Sequence, residues 1–122
     1  MTGRRVLPAE GHGPKIEVSF ESEGTLLGVA SNGLGTYWSV LRPDGTLRGE
    51  GQGVVMGAGG EAASWTARGV GKMTGPGSAS WRASIMWMTA SEKWTSLNNI
   101  VGVVEFEQDS EGNTTTSTWS WT

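Results

Sequence analysis

The chain has 122 residues, a net charge of −3 and no cysteine. A chain of this length forms one domain that can bury a core without disulfides or metals. The absence of cysteine excludes a thiolate nucleophile, a disulfide framework and cysteine-ligated zinc. The lysines and arginines are scattered, which argues against nucleic acid as a partner. No run approaches the roughly 20 apolar residues of a membrane helix.

Residues 1–14 carry glycine, proline and charge without periodicity, and we interpret them as an extended or loosely docked arm before a β domain at 15–122. Arg4 and Arg5 are not followed by the apolar stretch of a secretory signal, which favours the cytoplasm. His12 is the only histidine and lies in this arm, which argues against a histidine-dependent triad or metal site. We expect no cofactor.

Alternation of apolar and polar residues from position 15 onward predicts β-strands joined by glycine-rich turns. The predicted strands span 15–21, 25–31, 35–41, 46–56, 61–72, 78–89, 100–108 and 114–121, with a short helical turn near 91–97. An antiparallel meander of about eight strands usually closes, because closure removes the exposed edges. The sequence therefore predicts an all-β, closed up-and-down barrel, with a sandwich as the alternative.

Hairpin registers predict which side chains share a face. We pair Leu41 with Thr46, Met56 with Glu61, Lys72 with Ser78 and Gln108 with Asn113. The face that we take as the lumen then holds Glu50 and the candidate ligand-binding residues Tyr37, Gln52, Trp65, Trp81, Ile85, Trp87, Phe106 and Trp119. A barrel of eight strands is just wide enough to be filled by side chains or to hold one small ligand. Aromatic walls suit a small apolar organic molecule.

Glu50 is the candidate catalytic residue. Desolvation in an aromatic pocket raises the pKa of a carboxyl group. Next to Tyr37 or Gln52, Glu50 could then act as a general base or acid near neutral pH. The structural alternative is an ion pair with Arg48, which lies two residues earlier on the same strand face.

Met86 and Met88 fall on the opposite face of the strand at 78–89, where they would be exposed. Exposed methionines in a row are typical of an interface, so we expect a homodimer or higher oligomer through this face. Glu105 and Glu107 also share one strand face, and we interpret that face as solvated.

Several stretches carry a resemblance to a known group of proteins. They are 37–45 (YWSVLRPDG), 49–53 (GEGQG), 80–82 (SWR), 89–93 (TASEK), 97–98 (LN) and 109–113 (DSEGN). Together they resemble small uncharacterised bacterial and archaeal proteins, which are in turn similar to the allene oxide cyclase-like barrels. The resemblance covers roughly residues 15–121. It implies an eight-strand barrel, often oligomeric, whose hydrophobic lumen steers a reactive substrate without metal or cofactor.

Three functions follow from these expectations. The first is a cofactor-independent isomerase, cyclase or proton-transfer enzyme with Glu50 as acid or base and the tryptophans as walls. The second is a binding barrel that holds a small lipophilic ligand without converting it. The third is a structural or assembly protein whose lumen is packed by its own side chains.

Overall fold

A computed structural model describes residues 2–9 and 13–121, so His12 lies outside the described residues. Each strand pairs antiparallel with the next in one eight-stranded up-and-down sheet. The strands are β1 Gly3–Leu7, β2 Lys15–Leu26, β3 Val29–Leu41, β4 Thr46–Gly57, β5 Ala62–Gly75, β6 Ser78–Thr89, β7 Val101–Gln108 and β8 Thr114–Trp121. A single short 3-10 helix spans Glu92–Asn99 between β6 and β7.

The predicted all-β meander of eight strands with one short helical segment is confirmed, but the first three strands differ from the prediction. Part of the predicted arm forms β1, which pairs with β2. The three strands predicted between residues 15 and 41 are two longer ones, joined at Leu27-Gly28. Both residues have positive φ, 48° and 79°, as a two-residue hairpin turn of type I′ requires. The predicted strands at 15–21, 25–31 and 35–41 leave turns at Glu21–Gly24 and Asn32-Gly33, and in the structure these segments lie within β2 and β3.

The sheet curls strongly, so that one face is concave and the other convex. Tyr37 on β3 and Phe106 on β7 meet edge to face across the concave side, with ring centroids 6.2 Å apart. Within the described ranges, β1 and β8 each pair with one neighbour and not with each other. The predicted closure into a barrel is therefore wrong, and the sheet has two free edges.

Glycines and aromatic rings complement each other on the concave face. A Cβ at Gly53 would lie 2.5 Å from Trp65, one at Gly71 would lie 2.7 Å from Trp81, and one at Gly102 would lie 2.8 Å from Trp87. Real Cβ atoms do not approach neighbours this closely. The missing side chains at these three glycines therefore make the space that the indoles of Trp65, Trp81 and Trp87 occupy.

The 3-10 helix covers one end of the curled sheet. Its Trp94 and Leu97 are 0% and 2% exposed and pack with Ala63, against the flanking side chains of Val55 and Trp87. Asn98 fastens the helix to the end of β6: its Oδ1 accepts from the Thr89 amide at 2.9 Å, and its Nδ2 donates to the Thr89 carbonyl at 3.0 Å. The buried side chain of Trp94 fills the space between the helix and this end of the sheet.

Candidate functional site

The registers place most of the predicted lumenal side chains on the concave face. These are Tyr37, Trp65, Trp81, Ile85, Trp87 and Phe106. The rings pack on one another: Trp81 lies 6.2 Å from Tyr37, and Trp65 lies 6.3 Å from Phe20. The concave face is thus lined by the chain's own aromatic residues, which touch each other and the glycine backbone.

Glu50, Gln52 and Trp119 lie on the convex face instead. In three hairpins the prediction assumed four-residue loops, but the observed loops have three residues and end in a glycine with φ between 85° and 90°. A type I turn followed by such a left-handed glycine is the usual three-residue hairpin. The odd loop length shifts each register by one residue, and a shift of one moves every side chain of a strand to the other face.

The observed pairs show the shift directly. Leu41 faces Leu47 rather than Thr46, so Tyr37 is opposite Gly51 and not Glu50. In the last hairpin, Gln108 pairs with Thr114, which places Trp119 opposite the convex-face residue Val103. The observed register of the hairpin between β5 and β6, which has a bulge at Met73/Gly75, differs from the predicted one by two residues. This even difference keeps Trp81 and Trp87 on the same face as Trp65.

Glu50 is engaged in an ion pair on the convex face. Its Oε1 accepts a hydrogen bond from the guanidinium of Arg68, and Arg68 is the residue directly opposite Glu50 on β5. Arg48, the partner considered from sequence, instead lies over the Trp38 ring with its Cζ 5.1 Å from the centroid. No Asp or Glu of β2–β8 lies on the concave face in the described registers. The aromatic interior thus lacks the buried carboxylate that the proposed acid–base chemistry needs.

Tyr37 is the titratable group that does lie among the aromatic rings. Burial raises its pKa above the ordinary value of 10.0, and the positive charge of Arg4, which shares its face, offsets part of that effect. The pKa of the protonated phenol is higher in the folded chain than in the unfolded one, because the phenolate is poorly solvated there.

The alkaline pH dependence of stability should therefore follow Tyr37. The contribution of Tyr37 to the free energy of unfolding should be constant below pH 10 and be lost as the pH rises from there through the higher pKa of the folded state. Tyr37 is the sole tyrosine, so tyrosinate absorbance reports this residue alone. A pH titration of native and urea-unfolded protein should give a higher midpoint for the native chain. Equal midpoints would show that the phenol is solvated.

An uninterrupted apolar strip lies on the convex face along the β8 side. It consists of Met86, Met88, Val101, Val103, Trp119 and Trp121, all exposed. Met86 pairs with Val101 and Val101 with Trp121, so these side chains are contiguous across three strands. The strip contains the two methionines that the sequence analysis assigned to an interface. Trp119 was missed there, because the register assumed for the last strand placed it inside.

β8 is a free edge without charge. All eight of its residues are exposed, and Trp119 and Trp121 are 51% and 74% exposed. Natural edge strands are commonly guarded by charged residues or proline, which discourage pairing with another chain. Thr114–Trp121 contains neither, whereas the other edge, β1, carries Arg4 and Arg5. The uncharged sequence of this last strand is the signal from which the exposed edge could have been predicted.

Two further features, a metal-binding cluster and a membrane-spanning helix, are not found in the part of the chain that the structure describes. No group of three or more His, Cys, Asp or Glu side chains is arranged to hold a metal ion there. The helix between β6 and β7 is too short and too polar to cross a membrane, and no other described helix could do so.

Comparison with known proteins identifies the fold alone. No protein-family model matches the chain, and no curated protein is significantly similar to it. A solved structure, described as "the protein with unknown function from Clostridium acetobutylicum ATCC 824", superimposes with a TM-score of 0.84 at 14% identity, covering 98% of this chain and 90% of that one. The resemblance to the allene oxide cyclase-like barrels stays a prediction. What the comparison establishes is that this chain shares its fold with that clostridial protein.

Proposed function

We propose that the protein is an assembly protein that associates with a second copy of itself through the free edge of β8 and the adjoining apolar strip. The observation that carries this proposal is the uncharged, fully exposed β8 edge, which bears Trp119 and Trp121. The aromatic residues of the concave face support it, because they pack on one another and make a self-filled interior.

We take the partner to be a second copy, because β8 carries no charge that would repel another β8 strand. Two uncharged strands can pair without bringing like charges together, whereas pairing β1 with its own copy would bring the arginines of two copies together. Antiparallel pairing of β8 with β8 is a two-fold arrangement, in which the same surface serves both subunits and the assembly closes as a dimer. Pairing β8 with β1 of another copy would instead continue indefinitely or form a ring.

The register of such a pair is constrained by the faces of β8. Residues directly opposite each other must lie on the same face of the sheet, so two paired positions are separated by an even number in the sequence. One residue of β8 therefore pairs with its own copy, and the two-fold axis passes between these two copies. Centring on Thr118 extends the pairing over 115–121. This register places Trp119 opposite Ser117 and Trp121 opposite Thr115, so that each indole lies beside a small side chain. The four indoles then extend the apolar strip across the interface.

Self-association is tested by molar mass from light scattering over a range of protein concentrations. We expect the wild-type chain to reach twice the monomer mass. Replacing Trp119 and Trp121 with lysine should raise the dimer dissociation constant at least roughly tenfold, because the apolar contact of the indoles is lost and the two ammonium groups at position 119 would lie diagonally across the strand pair. Met56→Lys is the matched control, because Met56 is similarly exposed on the convex face but lies on β4, away from the edge.

Three results would contradict the proposal. A wild-type chain that stays monomeric at millimolar concentration would show that the edge does not self-associate. A double variant that dimerises as well as the wild type would place the interface elsewhere. Species larger than a dimer would indicate pairing between β8 and β1 of successive copies.

A further inference from the structure

A second feature of the convex face is a groove of about 560 Å³ across β4 to β7, whose described lining shares Val103 alone with the apolar strip. Its volume lies within the range of small-molecule sites. Small residues form its floor, among them Gly49, Gly69 and Ala83. Val70 and Val103 add apolar side chains, and Arg48, Arg68 and Arg82 line it together with Glu50.

The three arginines differ in how their charges are compensated. Arg68 pairs with Glu50, and Arg82 contacts Glu105 at 3.6 Å and Glu107 at 3.0 Å. Among the described residues, Arg48 has no carboxylate partner. Its guanidinium is held by the ring of Trp38 instead, 5.1 Å from the centroid. Stacking of this kind orients a guanidinium while leaving its N–H donors available.

Arg48 lies beside an apolar side chain of the groove. Arg48 pairs directly with Val70, and Val70 pairs with Arg82 on the next strand, so an apolar surface separates two guanidinium groups. A ligand whose carboxylate meets Arg48 would cover Val70 with its body. Glu50 compensates the charge of Arg68, and Glu105 and Glu107 compensate that of Arg82, so among the described lining residues Arg48 carries the positive charge without a carboxylate partner. The charge of Arg48 and the apolar side chain of Val70 beside it therefore both favour a ligand that has an anionic group and an apolar body.

We propose that this groove binds a small organic anion. Its carboxylate or sulfonate contacts the Arg48 guanidinium, and its apolar body packs against the side chains of Val70 and Val103. The donors of a guanidinium match the two oxygens of a carboxylate, and such charge-assisted hydrogen bonds are stronger than neutral ones. This site replaces the predicted lumenal pocket with one on the outer surface. It does not depend on dimerisation.

The test uses 2-naphthoate as the anionic probe and 2-naphthalenemethanol as its neutral counterpart, observed by ¹⁵N NMR of the full chain. We expect 2-naphthoate to shift the indole N–H signal of Trp38 and the backbone signals of 69–70 and 103. The neutral alcohol should bind about tenfold more weakly or not at all, since it cannot form the charge-assisted contact.

Arg48→Gln should weaken 2-naphthoate binding by about tenfold while leaving the remaining spectrum unchanged. Arg42→Gln is the matched control, because Arg42 lies in the turn between β3 and β4, bonded to Thr46, outside the groove. The proposal is overturned if the alcohol binds as tightly as 2-naphthoate, if both variants bind alike, or if the shifts are confined to Trp119 and Trp121. Absence of any shift at millimolar probe would overturn it equally.

Discussion

Replacing Trp94 with alanine should lower the free energy of unfolding by about 3–5 kcal/mol, the usual range for removing a fully buried tryptophan. Trp94 is 0% exposed and packs with Leu97 and Ala63 at the end of the sheet that the 3-10 helix covers. Without the indole, the helix keeps the smaller contacts of Leu97 and the hydrogen bonds of Ser91 and Asn98. Urea denaturation followed by far-ultraviolet circular dichroism measures the change.

Trp94→Phe separates the two contributions of this residue. The indole Nε1 is buried and has no hydrogen-bond partner among the described residues. An unsatisfied buried donor costs about 1–3 kcal/mol, so its removal offsets part of the volume lost on shortening the ring system. We expect Trp94→Phe to retain most of the stability that Trp94→Ala loses. Equal losses in the two variants would mean that the indole N–H is satisfied in solution.

Gly53→Ala is expected to have the second large effect, a loss of about 1–3 kcal/mol from overpacking. The added methyl group would lie 2.5 Å from the Leu34 carbonyl oxygen and 2.5 Å from the Trp65 ring. The backbone oxygen cannot move away without disturbing the pairing of β3 with β4. The Trp65 ring is confined by Phe20. Chemical denaturation of the variant measures the loss.

Gly24→Ala is the matched control for this substitution. Gly24 also lies within a strand, but a Cβ there would meet nothing within 4 Å, and its φ is not positive. Alanine reduces the conformational freedom of the unfolded chain, so this variant should be as stable as the wild type or up to about 1 kcal/mol more stable. If the two variants lost the same stability, the effect would come from glycine in strands generally and not from the Trp65 ring.

The strands were largely predictable because their alternation of apolar and polar residues is local. In β6, Trp81, Ile85 and Trp87 alternate with polar or exposed residues, and the structure confirms both the strand and its concave face. The helical turn near 91–97 was predictable for the same reason, since Trp94 and Leu97 are spaced for one face of a helix. Patterns of this kind involve only neighbouring residues.

The faces of β4 and β8 could not be predicted, because they depend on the parity of loops. The glycines at positions 45, 60 and 112 take positive φ and make three-residue loops, but a glycine at the same place also fits loops of other lengths. In β4, glycine alternates with residues such as Arg48, Glu50 and Gln52, and it gives no apolar pattern to choose the buried face. Glu50 was therefore assigned to the wrong side by a single residue.

The turn at Leu27-Gly28 was missed for a different reason. Leucine at a positive φ is unfavourable, whereas Asn32-Gly33 is a strong turn dipeptide, so the sequence predicts the turn at Asn32-Gly33. In the structure the long pairing of β2 with β3 extends from Lys15 to Leu26 and outweighs this local preference. Tertiary pairing decided the position of the turn.

The open seam between β1 and β8 has a consequence for the size of the sheet. In a closed cylinder, the number of strands and their stagger together determine the circumference, so a strand cannot be gained or lost without rebuilding the whole. Here the curvature is maintained by rings that meet across the concave side, as Tyr37 and Phe106 do, and not by a closing ladder of hydrogen bonds. Strands can accordingly be added at either margin while all existing pairings are kept.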